Sequence, residues 1–141
     1  MIVGPAQKDY EISMATNILP DRKYTKDHEW ALAKDKSTYV VGITDFAQTA
    51  LGDVTYVQLP EVGKTIKQGE VIGSVESVKA VSDIYAPMSG KVAKVNADVM
   101  NDPSLLNQDP YGKAWLIELE LSAETELTAL LSSEAYSEIA V

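Results

Sequence analysis

The sequence predicts a mainly β fold, a flattened barrel or sandwich with a short helix near residues 45–51 and helices at the C-terminal end. Three observations predict it. Aromatic and β-branched residues recur in short alternating runs between Trp30 and Leu121. Turn residues punctuate those runs at Gly63, Gln68-Gly69, Pro87 and Ser89-Gly90. Helical apolar spacing is convincing only in the tail, at Leu127, Leu130 and Leu131.

Taken in order, residues 1–13 ("MIVGPAQKDYEIS") lack clear periodicity and end before a second methionine, Met14. They read as an expression leader or a divergent extension and are set apart from the fold. "RKYTKDHEWALAKDKSTYVVGIT" places Trp30 and Leu32 on one side of an alternation, then a polar turn at Lys34 to Ser37, then the run Thr38 to Thr44, which makes a hairpin. In "DFAQTALGD" the period changes: Asp45 serves as N-cap, Gln48 follows at capping-box spacing and Gly52 ends a short helix. Val54 to Leu59 alternates until Pro60 stops it. Residues 62–78 and 80–96 are two strand-turn-strand units of similar length that meet at Lys79. "ADVMNDPSLLNQDPYG" reads as a loop with room for a helical turn, and "KAWLIELEL" as a closing strand. Ser122 caps "AETELTALL", whose first turn carries Glu124 and Glu126, and a second short helix follows Ser132 or Ser133. Residues 14–141 are thus expected to form a single domain with a helical tail from about residue 122.

The length of 141 residues suits one domain with a core that needs neither disulfides nor a structural metal. Without cysteine there is no thiol nucleophile, so sulfur chemistry would have to come from an attached group. Twelve basic against 21 acidic side chains, a net charge of −9, disfavour nucleic acid or an anionic membrane as partner and fit proteins with basic docking surfaces. No apolar run approaches the roughly 20 residues of a membrane span, and the expected chain is soluble.

Candidates for chemistry are few. The one histidine, His28, lies between Asp27 and Glu29 and suggests a general base of a small hydrolase, but a lone histidine ahead of a strand is ordinarily structural. No serine sits in a G-x-S-x-G elbow. Zinc lacks ligands, and Asp98 with Asp102 lack the spacing and terminal Glu of a calcium loop, so no metal site is expected. Gly69 and Gly73 are turn and packing glycines, since no phosphate-cradle motif contains them. Trp30 and Trp115 read as core or rim aromatics. Lys79, taken alone, is a solvated turn charge.

The surroundings of Lys79 change that reading. "VESVKAVSDIYAPMSGKV" resembles the lipoyl-attachment region of the glycine cleavage system H-protein family, in which the lysine of E-S-V-K-A is lipoylated. "KYTKDHEWA", "VGITDFAQTALGDVTYVQLPEVG" and "LLNQDPYGKAWLIELE" resemble the same family in the same order, from Tyr24 to about Glu120. Biotin carriers typically flank their lysine with methionines, and lipoyl domains of 2-oxo-acid dehydrogenases often read D-K-A; here Val78 and Ala80 are the neighbours.

The resemblance implies a lipoyl-domain-like hybrid fold and a carrier that is a shuttled substrate and not an enzyme, with no catalytic residues of its own and lipoate bound covalently to Lys79. It implies four partners: glycine decarboxylase (P protein), a tetrahydrofolate-dependent aminomethyltransferase (T protein), dihydrolipoamide dehydrogenase (L protein), and a lipoate ligase or lipoyl/octanoyl transferase. It further implies that Glu29 and Asp83 contact the arm in a cleft. An H-like protein relaying lipoyl groups to other complexes is the alternative. Bacterial cytoplasm is the expected location, and the mitochondrial matrix the alternative to it.

Overall fold

The computed structural model describes residues 17–140. Among these residues, nine strands form two antiparallel sheets. The larger has the order β1-β2-β3-β9-β8-β5 and the smaller β4-β6-β7. The strands are β1 Lys23–Tyr24, β2 Glu29–Ala33, β3 Thr38–Ile43, β4 Val54–Gln58, β5 Thr65–Ile66, β6 Val71–Ser77, β7 Val81–Tyr85, β8 Gly90–Val95 and β9 Ile117–Leu121. This is the flattened β sandwich expected from alternation. The two strand-turn-strand units nest: β6 pairs with β7 inside, and β5 with β8 outside.

Alternation decides what lies between the sheets. Val57, Val75 and Ile84 of the small sheet share one buried cluster with Val41, Val92, Ile117 and Leu119 of the large one. On the outer side of β2 and β3, Trp30 and Tyr24 pack with Tyr136 and Ala140 of the tail in a second cluster. Trp30 lies across from Gly42 in the ladder, and a Cβ at Gly42 would meet the indole at 2.5 Å, so only glycine leaves room for it.

Helix α1 is Asp45–Leu51, as expected, but its N-cap is Thr44, whose Oγ1 accepts from Ala47 N–H; Asp45 is the first helical residue. Thr44 is held for that role at the end of β3, because its hydroxyl also bonds Tyr136 (2.7 Å). The stretch read as a loop contains two short helices, α2 Ala97–Asn101 and α3 Leu105–Gln108. The first tail helix is a 3₁₀ helix, Glu124–Ala129, flanked by Ala123 with no side-chain cap, so Ser122 does not cap it. Leu131 ends it early by exchanging backbone hydrogen bonds with Tyr24 at 2.7 and 2.8 Å. Helix α4, Ser133–Ser137, follows with Ser132 as its cap. Residues 1–13 lie outside the described residues.

Tyr136 joins the tail to the sheet. Its ring stacks on Tyr24 at 4.6 Å, and its hydroxyl sits between His28 Nδ1 and Thr44 Oγ1, each 2.7 Å away. Burial pushes the phenol up to about 12, so it stays protonated as this bridge requires. Tyr136→Phe keeps the stack and deletes the bridge. The expected loss is about 1–3 kcal/mol by urea unfolding; an unchanged midpoint would show that the hydroxyl contributes nothing.

Candidate functional site

Lys79 stands at the tip joining β6 to β7. The tip closes with Ser77 N–H donating to the Ala80 carbonyl at 2.8 Å. Two-residue hairpin loops usually need positive φ, yet neither Val78 nor Lys79 has it. Ser77 Oγ accepts from the Lys79 and Ala80 amides instead (3.3 and 3.1 Å). Val78 N–H donates sideways to the Asp53 carbonyl just after α1 (3.1 Å). The backbone is tied down while Val78, Lys79 and Ala80 are exposed. Gly52, at φ +79, lies beneath the lysine stem: a Cβ there would be 3.6 Å from Lys79 Cε.

From the tip, Val81, Asp83 and Tyr85 follow at period two along one side of β7, spanning roughly 13 Å. Beyond the far end lies Glu29. Glu29 is 2 % exposed, and both carboxyl oxygens are partnered: Oε1 accepts from the Thr25 hydroxyl (2.5 Å) and Oε2 from Tyr85 N–H (3.1 Å). Glu29 lines a cleft of about 340 Å³ with Tyr85, Ala86 and Pro87 on one side and Ala129, Leu130 and Leu131 of the tail on another. Burial raises its pKa to about 7, against the lowering effect of the Thr25 and Tyr85 hydrogen bonds.

Asp83 is exposed and faces elsewhere. Its rung is Gln58, Ser74 and Asp83, and it lines a separate, wider groove of about 780 Å³ with the Leu59–Lys64 loop. The two carboxylates therefore do not share a cleft. His28 is half-buried, stacked on Phe46 at 4.6 Å and bonded to Tyr136, so its ring is spent on packing the tail. Its φ of 72 fits the tight return in which His28 N–H donates to the Thr25 carbonyl. Sequence reasoning missed Asn107, whose amide bonds Gly52, Gln48 and Val54. Its only local signal was a polar residue within "LLNQD".

A lysine held out on a braced hairpin tip of a small β protein is an arrangement suited to a carrier protein, the class that presents an attachment point to other proteins. The family model described as glycine cleavage H-protein matches residues 22–141. Glycine cleavage system H proteins of Thermotoga maritima and Carboxydothermus hydrogenoformans are 54% and 52% identical to the chain over 117 and 119 residues. These matches cover 83% and 84% of this chain and 94% and 91% of those proteins, respectively. A crystal structure of the H protein from Mycobacterium marinum superposes with a TM-score of 0.77 at 42% identity, covering 86% of this chain and 97% of that one. The chain belongs to the glycine cleavage H-protein family. No helix among the described residues is long and apolar enough to cross a membrane.

The raised pKa of Glu29 makes stability depend on pH. Between about 4.5 and 7 the unfolded chain ionises this carboxyl while the folded chain keeps its proton, so folding takes up a proton and stability falls as pH rises through that window. The whole effect is on the order of 3 kcal/mol. Glu29→Gln removes it. Urea unfolding at pH 4.5 and pH 8 should show the variant gaining on wild type at the higher pH; an equal difference at both would show that Glu29 titrates in the fold as it does in the unfolded chain.

Proposed function

We propose that Lys79 is the lipoyl attachment site and that the protein is the lipoyl-bearing carrier of the glycine cleavage system. In this role it takes the aminomethyl group from glycine decarboxylase to the tetrahydrofolate-dependent aminomethyltransferase and electrons to dihydrolipoamide dehydrogenase. The observation that carries the proposal is the E-S-V-K-A lysine itself: exposed, and rooted in a backbone fixed on both sides. A lipoate ligase or lipoyl transferase must approach the amine freely, and a rigid root makes the reach of the attached group reproducible.

The residues present fit such a group. Gly52 has no side chain to crowd the stem, and Lys79 Nζ has no hydrogen-bond or ion-pair partner to give up among the described residues. Lipoate, when bound, supplies a disulfide that accepts the aminomethyl group and the electrons. Around it the chain's own groups bind and shelter. Ala86, Pro87, Leu130 and Leu131 give the Glu29 cleft apolar walls that would shield a group seated between them from water. An ammonium group brought against Glu29 Oε1 or Oε2 would favour the ionised carboxylate, converting a neutral buried acid into a charge partner. Asp83, exposed in the wider groove beside the Leu59–Lys64 loop, is a second carboxylate nearer the tip but outside this cleft. A cytoplasmic location in a bacterium accords with the bacterial relatives.

Lys79→Arg should leave the unfolding midpoint within about 0.5 kcal/mol of wild type, as for exposed positions generally. It should also abolish lipoylation by a lipoate ligase with ATP and lipoate, and with it glycine decarboxylation in a reconstituted system. Peptide mapping of the ligated wild type should find Lys79 alone. Modification of Lys91 or Lys94 with Lys79 left free would overturn the proposal.

A further inference from the structure

Asn107 lies in α3, 28 residues after Lys79 in sequence, and touches neither the lysine nor the Glu29 cleft. Its side-chain amide is nevertheless fully used. Oδ1 accepts from Val54 N–H at 2.9 Å, and Nδ2 donates to the Gly52 carbonyl at 2.8 Å and to Gln48 Oε1 at 2.9 Å. Two of these contacts, to Val54 and Gly52, bracket one residue, Asp53, and the third ties the amide to α1 through Gln48. The Asp53 carbonyl and the Val54 N–H belong to a single planar peptide unit, so a bond that orients one end orients the other. The other end is the acceptor for Val78 N–H, the amide next to the lysine (3.1 Å). The second contact fixes the carbonyl of Gly52, the residue over which the Lys79 stem lies.

We infer that Asn107 is the positioning residue of the attachment lysine: it aims the Asp53 peptide at Val78 and seats Gly52 under the stem, and so sets where Nζ of Lys79 is presented to the acylating enzyme. The inference rests on the reading of Lys79 as the lipoylated residue. It also explains why the side of the tip carries a glycine at positive φ backed by a side-chain amide. β4 is an edge strand of a three-stranded sheet with an irregular register between Val54 and Tyr56, so ladder hydrogen bonds alone do not hold this corner. An amide with two donors and one acceptor matches two carbonyl-type oxygens and one N–H; a carboxylate in the same place would face Gly52 O and Gln48 Oε1 with lone pairs.

Two variants test it, Asn107→Asp and Asn107→Ser, each as the full unmodified chain. Three measurements are made: initial rates with lipoate ligase, lipoate and ATP over a range of carrier concentrations; amide hydrogen exchange by NMR; and acetylation of Lys79 by acetic anhydride, a reagent indifferent to presentation. The expected result is a fall of roughly tenfold or more in kcat/KM for lipoylation, since ångström-scale misplacement of a reacting group can cost up to about a hundredfold. Val78 N–H should lose protection while core amides such as Val41 and Leu119 keep theirs, and the anhydride should modify Lys79 as in wild type. Lipoylation at the wild-type rate in a folded variant overturns the inference. So does a loss that comes with uniform loss of protection in both variants, which marks Asn107 as structural only. Wild-type protein that the ligase does not modify on Lys79 overturns instead the reading of Lys79 on which the inference rests.

Discussion

The apolar layer between the two sheets is what the rest of the molecule depends on. Val57, Val75 and Ile84 project from the small sheet into the cluster that holds Val41, Val92, Ile117 and Leu119. Fully buried side chains of this kind contribute about 1.5–3 kcal/mol each. The β6-β7 hairpin, whose tip carries Lys79, is held in this layer through Ile72, Val75 and Ile84, while Val78 to Asp83 stand out from it, exposed.

Apolar contact is non-directional, so it sets how far apart the sheets lie better than how one is turned on the other. The turning is fixed by polar groups at the two ends of the small sheet. At the tip end, Asn107 takes Val54 N–H of β4 and the Gly52 carbonyl. At the far end, Glu29 of β2 takes Tyr85 N–H of β7, a bond from the large sheet to the small one. A neutral glutamine would serve the second purpose without the burden of a buried carboxyl. The glutamate that stands there instead carries a pKa raised by burial, against the lowering effect of its hydrogen bonds to Thr25 and Tyr85.

The strands and the tip were legible in the sequence because both follow from local pattern. The β-branched run Thr38 to Thr44 and the turn-bounded units 62–78 and 80–96 mark the strands, and the two units meet at Lys79. What was not legible depends on distant residues. Thr44 and Asp45 are both good caps, and Tyr136, far along the chain, selects Thr44. "AETELTALL" has the spacing of an α-helix, but Leu131 is taken by Tyr24 and Glu126 is drawn out to Ser89, which leaves a stretch too short to gain from α-helical cooperativity. Glu29 and Asp83 are both acidic residues on strands, and nothing local separates them. The difference is the tail: Leu130 and Leu131 close over one, and nothing closes over the other.

Lys79 is set apart from the other interactions of the fold in a way that matters for a carrier. Lys34 pairs with Glu118, and Arg22 is enclosed by Asp21, Trp30 and Tyr111. Changing either charge would disturb the body. The Lys79 ammonium has no such partner among the described residues, and the contacts around it are made by its backbone and by the stem over Gly52. Converting the amine to an amide removes one positive charge and leaves every hydrogen bond of the tip in place. Under the proposed role, a partner enzyme would tell the states apart by the group on the lysine, presented at the tip or taken into a cleft. A cation brought beside Glu29 would favour its ionised form, because burial is what holds the pKa of that carboxyl at about 7.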